Sequence, residues 1–191
     1  MKKRIIVGIS GASGSIYGWR LLEKLRMHAD VESHLILTRS GERTAHIEMG
    51  KATADFKALA DHYYPVEDIG SKLASGSSVS DAMVIAPCSI HSMSAIAAGI
   101  SNNLLIRAAD VMLKERKRLI LMVRETPFHL GHLRSMTALA EMGAIIAPPV
   151  PAFYHHPKTV ADIVEHSIDR VLDLLDLPSP DAHRWDGGRS S

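Results

Sequence analysis

Arg4-Ile5-Ile6-Val7-Gly8-Ile9-Ser10 runs without a break into Gly11-Ala12-Ser13-Gly14-Ser15, and a helical pattern follows from Ser15 to Met27. The first stretch is a short β-branched run of the kind found in strands buried on both faces. The second is a glycine-rich turn that hands a strand to a helix. There, backbone N–H groups and the positive end of the helix dipole converge, and small residues let an anion come close. The spacing of Gly8, Gly11 and Gly14 is G-x-x-G-x-x-G. It is not a P-loop, because no lysine follows the last glycine, and it is not the G-x-G-x-x-G dinucleotide fingerprint.

The same alternation continues outward. Val31–Thr38, Ala82–Ala86, Arg118–Val123 and Ala144–Ala147 read as further strands. Between them helices are expected near Arg43–Met49, Asp55–His62, Ser89–Ala98, Leu104–Glu115 and Leu130–Met142, with a last one at Val160–Leu175. Thr159 with Asp162 three positions on is a capping-box pattern for that last helix. Strands alternating with helices predict a three-layer α/β fold, a parallel sheet with helices on both faces. Gly70–Ser80 reads as a Ser/Gly-rich loop and Pro148–Pro151 as a stiff extended segment. Residues 1–178 are expected to form one domain and 179–191 a polar tail. The second strand ends in Thr38-Arg39-Ser40, with no acidic residue to hold a ribose diol. A mononucleotide phosphate such as that of FMN therefore suits the turn better than NAD. A glycine turn without a ligand is the alternative.

The chain has 191 residues, enough for one sizeable core, with 46% hydrophobic and 23% charged residues. Its 22 Lys+Arg against 21 Asp+Glu leave a formal charge of +1, which argues against a nucleic-acid or anionic-membrane binder. Met1-Lys2-Lys3-Arg4 before Ile5-Ile6-Val7 has the outline of a secretory leader, but Ser10-Gly11 cuts the apolar run short. No window has the ~20 apolar residues of a membrane span. The lone cysteine, Cys88, excludes an internal disulfide, so a cytoplasmic protein is expected.

A second polar turn, Pro87-Cys88-Ser89-Ile90-His91-Ser92, again follows a strand and opens a helix. Carboxyl ends of parallel strands line the ligand crevice of an open α/β sheet, so the two turns are expected to share one site. Cys88 lacks an assignable base and reads as a small packing residue. Arg124-Glu125 follows the fourth strand, Arg107 and Lys114 lie seven apart on one helix, and Tyr154 and Arg170 come later. Such cations are ordinarily a solvated face, yet together they offer a clamp for a second phosphate, with Glu125 as an acid or base among cations. Among the 11 histidines, His129-x-x-His132 and His155-His156 lack a third ligand, and surface or capping roles are expected rather than metal binding. There is no G-x-S-x-G elbow and no aspartate-rich motif for Mg²⁺ and diphosphate.

Taken in order, Gly11-Ala-Ser13-Gly14, Ala74-Ser75-Gly76-Ser77, Pro87-Cys88-Ser89, Asn103-Leu104, Arg107-Ala-Ala-Asp110, Leu113-Lys114-Glu115, Arg124-Glu125-Thr-Pro127, Pro148-Pro149-x-Pro151-x-Phe153-Tyr154 and Arg184-Trp185 resemble the UbiX-type flavin prenyltransferases. That family includes members described as components of hydroxyarylic acid decarboxylases. The resemblance covers nearly the whole chain. Ile90-His91-Ser92 departs from the pattern, in which the middle position is Lys or Gly. The resemblance implies a Rossmann-like or flavodoxin-like fold and a homododecamer built from trimers, with FMN held between subunits. The implied reaction carries the dimethylallyl group of dimethylallyl phosphate to N5 and C6 of reduced FMN, without metal, for a UbiD-type decarboxylase partner. By the same resemblance Gly11, Ala12, Ser13, Thr38, Ser89, Ile90, His91, Ser92 and Arg124 bind FMN. Arg107, Lys114, Glu125, Tyr154, Arg170 and Trp185 hold the substrate, with Glu125, Ser13 and Lys114 in the chemistry. Two alternatives remain: a non-catalytic FMN-binding subunit of a hydroxyarylic acid decarboxylase, and a flavin-dependent cysteine decarboxylase, disfavoured by Pro87-Cys88-Ser89-Ile90.

Overall fold

The apolar run that opens the chain becomes β1 (Lys3–Ile9) and lies in the middle of the sheet in the computed structural model, which describes residues 2–78, 80–177 and 179. Its partners are β2 (Val31–Leu37) on one side and β4 (Ala82–Cys88) on the other. Outside these come β3 (His62–Pro65), β5 (Arg118–Val123) and β6 (Ile145–Ile146), every pairing parallel, in the order β3-β2-β1-β4-β5-β6. This 3-2-1-4-5-6 order reverses between β1 and β4, the position where doubly wound sheets bind ligands.

Period two in the strands decides which helix covers which face. Ile6, Ile36, Met83 and Ile85 join one apolar cluster with Met93 and Ile96 of α4 (Ile90–Ala97) and with Leu105, Ala108, Ala109 and Met112 of α5 (Leu104–Lys114). Ile9 belongs to the opposite face, where α1 (Ser15–Arg26) packs so closely that a Cβ on Gly18 would overlap the Ala86 carbonyl and the Ile9 side chain. Alongside α1 run α2 (Arg39–Met49) and α3 (Thr53–Leu59), while α6 (Leu130–Glu141) joins the α4–α5 face through Leu139 and Met136. The three layers are thus those expected.

The largest differences from the expected boundaries are two. α2 begins at Arg39 rather than Arg43, because the Thr38 hydroxyl oxygen accepts the Gly41 N–H at 3.0 Å and starts the helix earlier. The helix expected over Asp55–His62 stops at Leu59, Ala60 is extended (φ −90, ψ 148), and His62–Pro65 is an edge strand paired to His34–Leu37. Tertiary pairing overrides local helix preference there.

The chain divides into two compact units after Pro148. The second holds a short 3-10 turn at Phe153–His155 and α7 (Val160–Leu174). α7 starts as expected: the Thr159 hydroxyl accepts the Asp162 N–H at 3.2 Å and the Asp162 carboxylate accepts the Thr159 N–H at 2.9 Å. Val164, Ile168, Val171 and Leu172 are its buried stripe.

Candidate active site

Ser10, at the end of β1 and 1% exposed, ties the two polar turns together. Its hydroxyl donates to the Pro87 carbonyl at 2.7 Å and accepts the Ser89 N–H at 2.8 Å. At the end of β5, the Arg124 N–H donates to the Cys88 carbonyl at 3.0 Å, which sets Arg124-Glu125 beside the second turn. Thr38, ending β2, donates its N–H to the Ile9 carbonyl at 3.0 Å. Ser89 caps α4, its hydroxyl accepting the Ser92 N–H at 3.2 Å. Gly11, Ala12, Ser13, Thr38, Ser89, Ile90, His91, Ser92, Arg124 and Glu125 therefore lie along one carboxyl edge of the sheet, at its switch point.

The donors of the first turn are taken up by a carboxylate of the same chain. Gly14 takes the left-handed region (φ 101) as the N-cap of α1 and brings no side-chain cap. The carboxylate of Glu48, from the last turn of α2, fills that role: it accepts the Gly14 N–H at 3.0 and 3.1 Å and the Ser15 N–H at 3.0 Å. Burial works to raise the Glu48 pKa, but hydrogen bonds from the Ser13 hydroxyl, the Ser15 and Gly14 N–H groups and the Ser15 hydroxyl outweigh it and hold the carboxyl below its usual range. Glu48 thus serves as the anionic cap of α1. Gly11 is needed because a Cβ there would overlap the Ser40 side chain at the start of α2.

Cys88 is fully buried, and desolvation pushes its thiol up to about 12. It stays protonated at neutral pH and is a packing residue, not a nucleophile. His129 caps α6, its Nδ1 accepting the Gly131 N–H at 3.0 Å.

Lys114 is not brought to this edge. Lys114 ends α5, which runs antiparallel to the strands and leads into the amino end of β5. It therefore lies about the length of the six-residue β5, roughly 20 Å, from Arg124. Lys114 pairs with Glu115 there. Arg107 donates to the Ala74 carbonyl at 3.2 Å and to Asp110 at 2.5 Å. A cleft of about 110 Å³ lined by Ile6, Leu73, Met112 and Lys117 also lies at the amino edge, smaller than the roughly 300 Å³ at which small-molecule sites begin. Tyr154 and Arg170 belong to the second unit. Tyr154 is exposed against His155, with ring centroids 4.1 Å apart, and Arg170 is on the solvent face of α7, 3.8 Å from Asp173. Trp185 lies outside the described residues.

With that geometry in view, the chain matches the Flavoprotein family over residues 1–175. It is 52% identical over 184 residues to the flavin prenyltransferase UbiX of Thauera aromatica, covering 96% of this chain and 94% of that protein. A dodecameric FMN-dependent UbiX-like decarboxylase from Escherichia coli O157:H7 superposes with a TM-score of 0.95 at 43% identity, over 96% of this chain and 100% of the other. AnUbiX (PadA1), solved in complex with FMN and dimethylallyl pyrophosphate, gives a TM-score of 0.95 at 41% identity, over 98% and 99%. The chain belongs to the UbiX-type flavin prenyltransferase family. Ser10 and Glu48, which organise the two turns, are not singled out as site residues by the sequence. Ser10 is signalled weakly, as a hydroxyl closing an apolar strand. Glu48 sits 34 residues from the turn it caps and has no local signal.

Proposed function

We propose that this chain transfers the dimethylallyl group of dimethylallyl phosphate to N5 and C6 of reduced FMN and yields prenylated FMN for a UbiD-type decarboxylase. The observation that carries this reading is the convergence of two glycine- and hydroxyl-rich turns with Arg124-Glu125 on one crevice, where the N–H groups of Gly14 and Ser15 already grip a carboxylate. When bound, reduced FMN supplies the nucleophilic N5 and C6. Gly11 to Ser13, Thr38, Ser89 to Ser92 and Arg124 hold and orient it. Arg107, Lys114, Tyr154 and Arg170 bind the phosphate of the donor and stabilise its charge as the C–O bond breaks, a task for which cations and a phenol hydroxyl suffice. Glu125 and the Ser13 hydroxyl take and return protons. Trp185 shields the cation from water.

The roughly 20 Å between Lys114 and Arg124 supports an assembly in which one subunit's α5 end serves another subunit's crevice. A homododecamer fits this, and the Escherichia coli relative is itself dodecameric. No helix among the described residues is long and apolar enough to cross a membrane, and a cytoplasmic location is supported by the single buried cysteine.

The test is anaerobic incubation with FMN, a reductant and either dimethylallyl phosphate or dimethylallyl pyrophosphate, followed by mass analysis of the bound flavin. A gain of one prenyl unit with either ester is expected. Flavin of unchanged mass with both esters overturns the transferase reading in favour of a non-catalytic flavin-binding role.

A further inference from the structure

Away from the crevice, one carboxylate oxygen gathers two histidines. Glu32 Oε1, on β2, lies 2.9 Å from His34 Nε2 and 3.4 Å from His62 Nε2 on the neighbouring β3. The sheet produces this arrangement. Glu32 and His34 are two apart on one strand and so share a face, and the parallel register sets His62 directly opposite His34. The two imidazoles stack with centroids 4.8 Å apart and planes 23° from parallel. One donor atom from each of the three residues lies within 4.8 Å of the other two.

We propose that Glu32, His34 and His62 form a binding site for a divalent transition-metal ion of the zinc class, on the β2–β3 edge of the sheet and separate from the flavin crevice. A tetrahedral ion with donors about 2.0–2.1 Å away spaces those donors about 3.3 Å from one another; the two carboxylate–imidazole separations, 2.9 and 3.4 Å, are near that value, the two imidazoles would draw together from within 4.8 Å, and two imidazoles with one carboxylate are donors such ions accept. The side chains are 1% exposed at His34, 23% at Glu32 and 47% at His62, so the ion would enter from the His62 side and keep water in its fourth position. His34 also has the outer-shell partner expected of a ligating histidine: its Nδ1 is 3.1 Å from the Tyr64 hydroxyl. With an ion on Nε2, the proton resides on Nδ1 and is donated to Tyr64.

Burial, then the neighbouring His62, lowers the His34 pKa against the pull of Glu32. Two cations face the cluster. Arg4 Nε on β1 is 3.6 Å from Glu32 Oε1, and Lys72 also acts to lower the His34 pKa. An incoming ion would take the place of Arg4 on the carboxylate. Its effect would be mechanical, fastening the four-residue edge strand β3 to β2.

The experiment uses untagged full-length protein stripped with a chelator, then titrated with Co²⁺ under visible spectroscopy and with Zn²⁺ in competition. One equivalent per chain with the absorption of a tetrahedral Co²⁺ site is expected. His62→Ala, at an exposed position and checked for fold by circular dichroism, is expected to weaken binding by more than about 100-fold, and Tyr64→Phe by about 10–100-fold. His132→Ala, in the other histidine cluster, is expected to change nothing. Failure to bind one equivalent, or an unchanged titration in His62→Ala, overturns the proposal, and neither result bears on flavin binding.

Discussion

Replacing Glu48 with glutamine leaves the size of the side chain almost unchanged and removes the charge that caps α1. In the wild type three hydrogen bonds from two N–H groups end on that carboxylate, and the helix has no other side-chain cap. Losing a helix cap costs about 0.5–2 kcal/mol, and a charge at a helix N-terminus adds about 0.3–1 kcal/mol. Glutamine retains one acceptor oxygen and Glu48 is exposed, which places the expected cost of Glu48→Gln near 1 kcal/mol at neutral pH, or about 2–4 °C in Tm for a chain of this size. The dependence on pH has a definite sign. Because folding depresses the Glu48 pKa, the wild type holds its advantage above the unfolded glutamate pKa of about 4.3 and loses it as pH falls through the lower folded value. Denaturation of both proteins at equal protomer concentration, from neutral pH to about pH 3, is the assay. The gap is expected to close on acidification, and added phosphate is expected to stabilise the variant more than the wild type, because the N–H pair no longer faces a resident negative charge that repels an external anion. A gap that is constant over the whole pH range would refute the view that this turn is an anion site.

Glu125→Gln is expected to leave FMN binding nearly intact while slowing formation of prenylated flavin by about 10²–10⁴-fold, seen as a loss of kcat in single-turnover mass analysis. Lys114→Ala and Arg170→Ala are each expected to weaken capture of dimethylallyl phosphate by about 1.5–3 kcal/mol, read as raised KM. Mixed oligomers of Lys114→Ala and Glu125→Gln subunits are expected to regain activity that neither variant has alone, and no recovery would show that Lys114 serves its own subunit. Cys88→Ser is expected to retain most activity and lose about 1–3 kcal/mol of stability, since it places a hydroxyl in a fully buried position. Ser10→Ala is expected to weaken FMN affinity together with stability by about 1–3 kcal/mol, because it strips the Ser89 N–H and the Pro87 carbonyl of a shared buried partner.

The strands that sequence reveals are those whose burial is two-sided. β1, β4 and β5 read clearly because a strand covered on both faces must be apolar at nearly every position, as the burial of Ala82–Cys88 shows. β3 is invisible for the opposite reason. His62-Tyr63-Tyr64-Pro65 lies on an edge, is half exposed, and has no apolar run to announce it. Its pairing with His34–Leu37 is a property of register between segments nearly thirty residues apart, which local patterns do not encode. With β3 unread, His62 stayed at the end of an expected helix, and its position opposite His34 had no basis in the sequence.

The crevice shows the same division between local and distant information. Thr38, Ser89 and Arg124 are legible because each follows directly on a strand, and Ser13 because it lies in the turn after β1; a parallel sheet collects the carboxyl ends of all its strands on one edge whatever lies between them. Lys114 obeys the converse rule. A helix that crosses back to start the next strand must finish at the amino edge, so a cation in its last turn is carried away from the crevice of its own chain by the length of β5. Helical spacing puts Arg107 and Lys114 on one face without saying which end of the sheet that face reaches. If Lys114 binds the phosphate, a second copy of the chain must supply it. The catalytic unit is then larger than the folded chain, and variants that weaken assembly would lose phosphate capture.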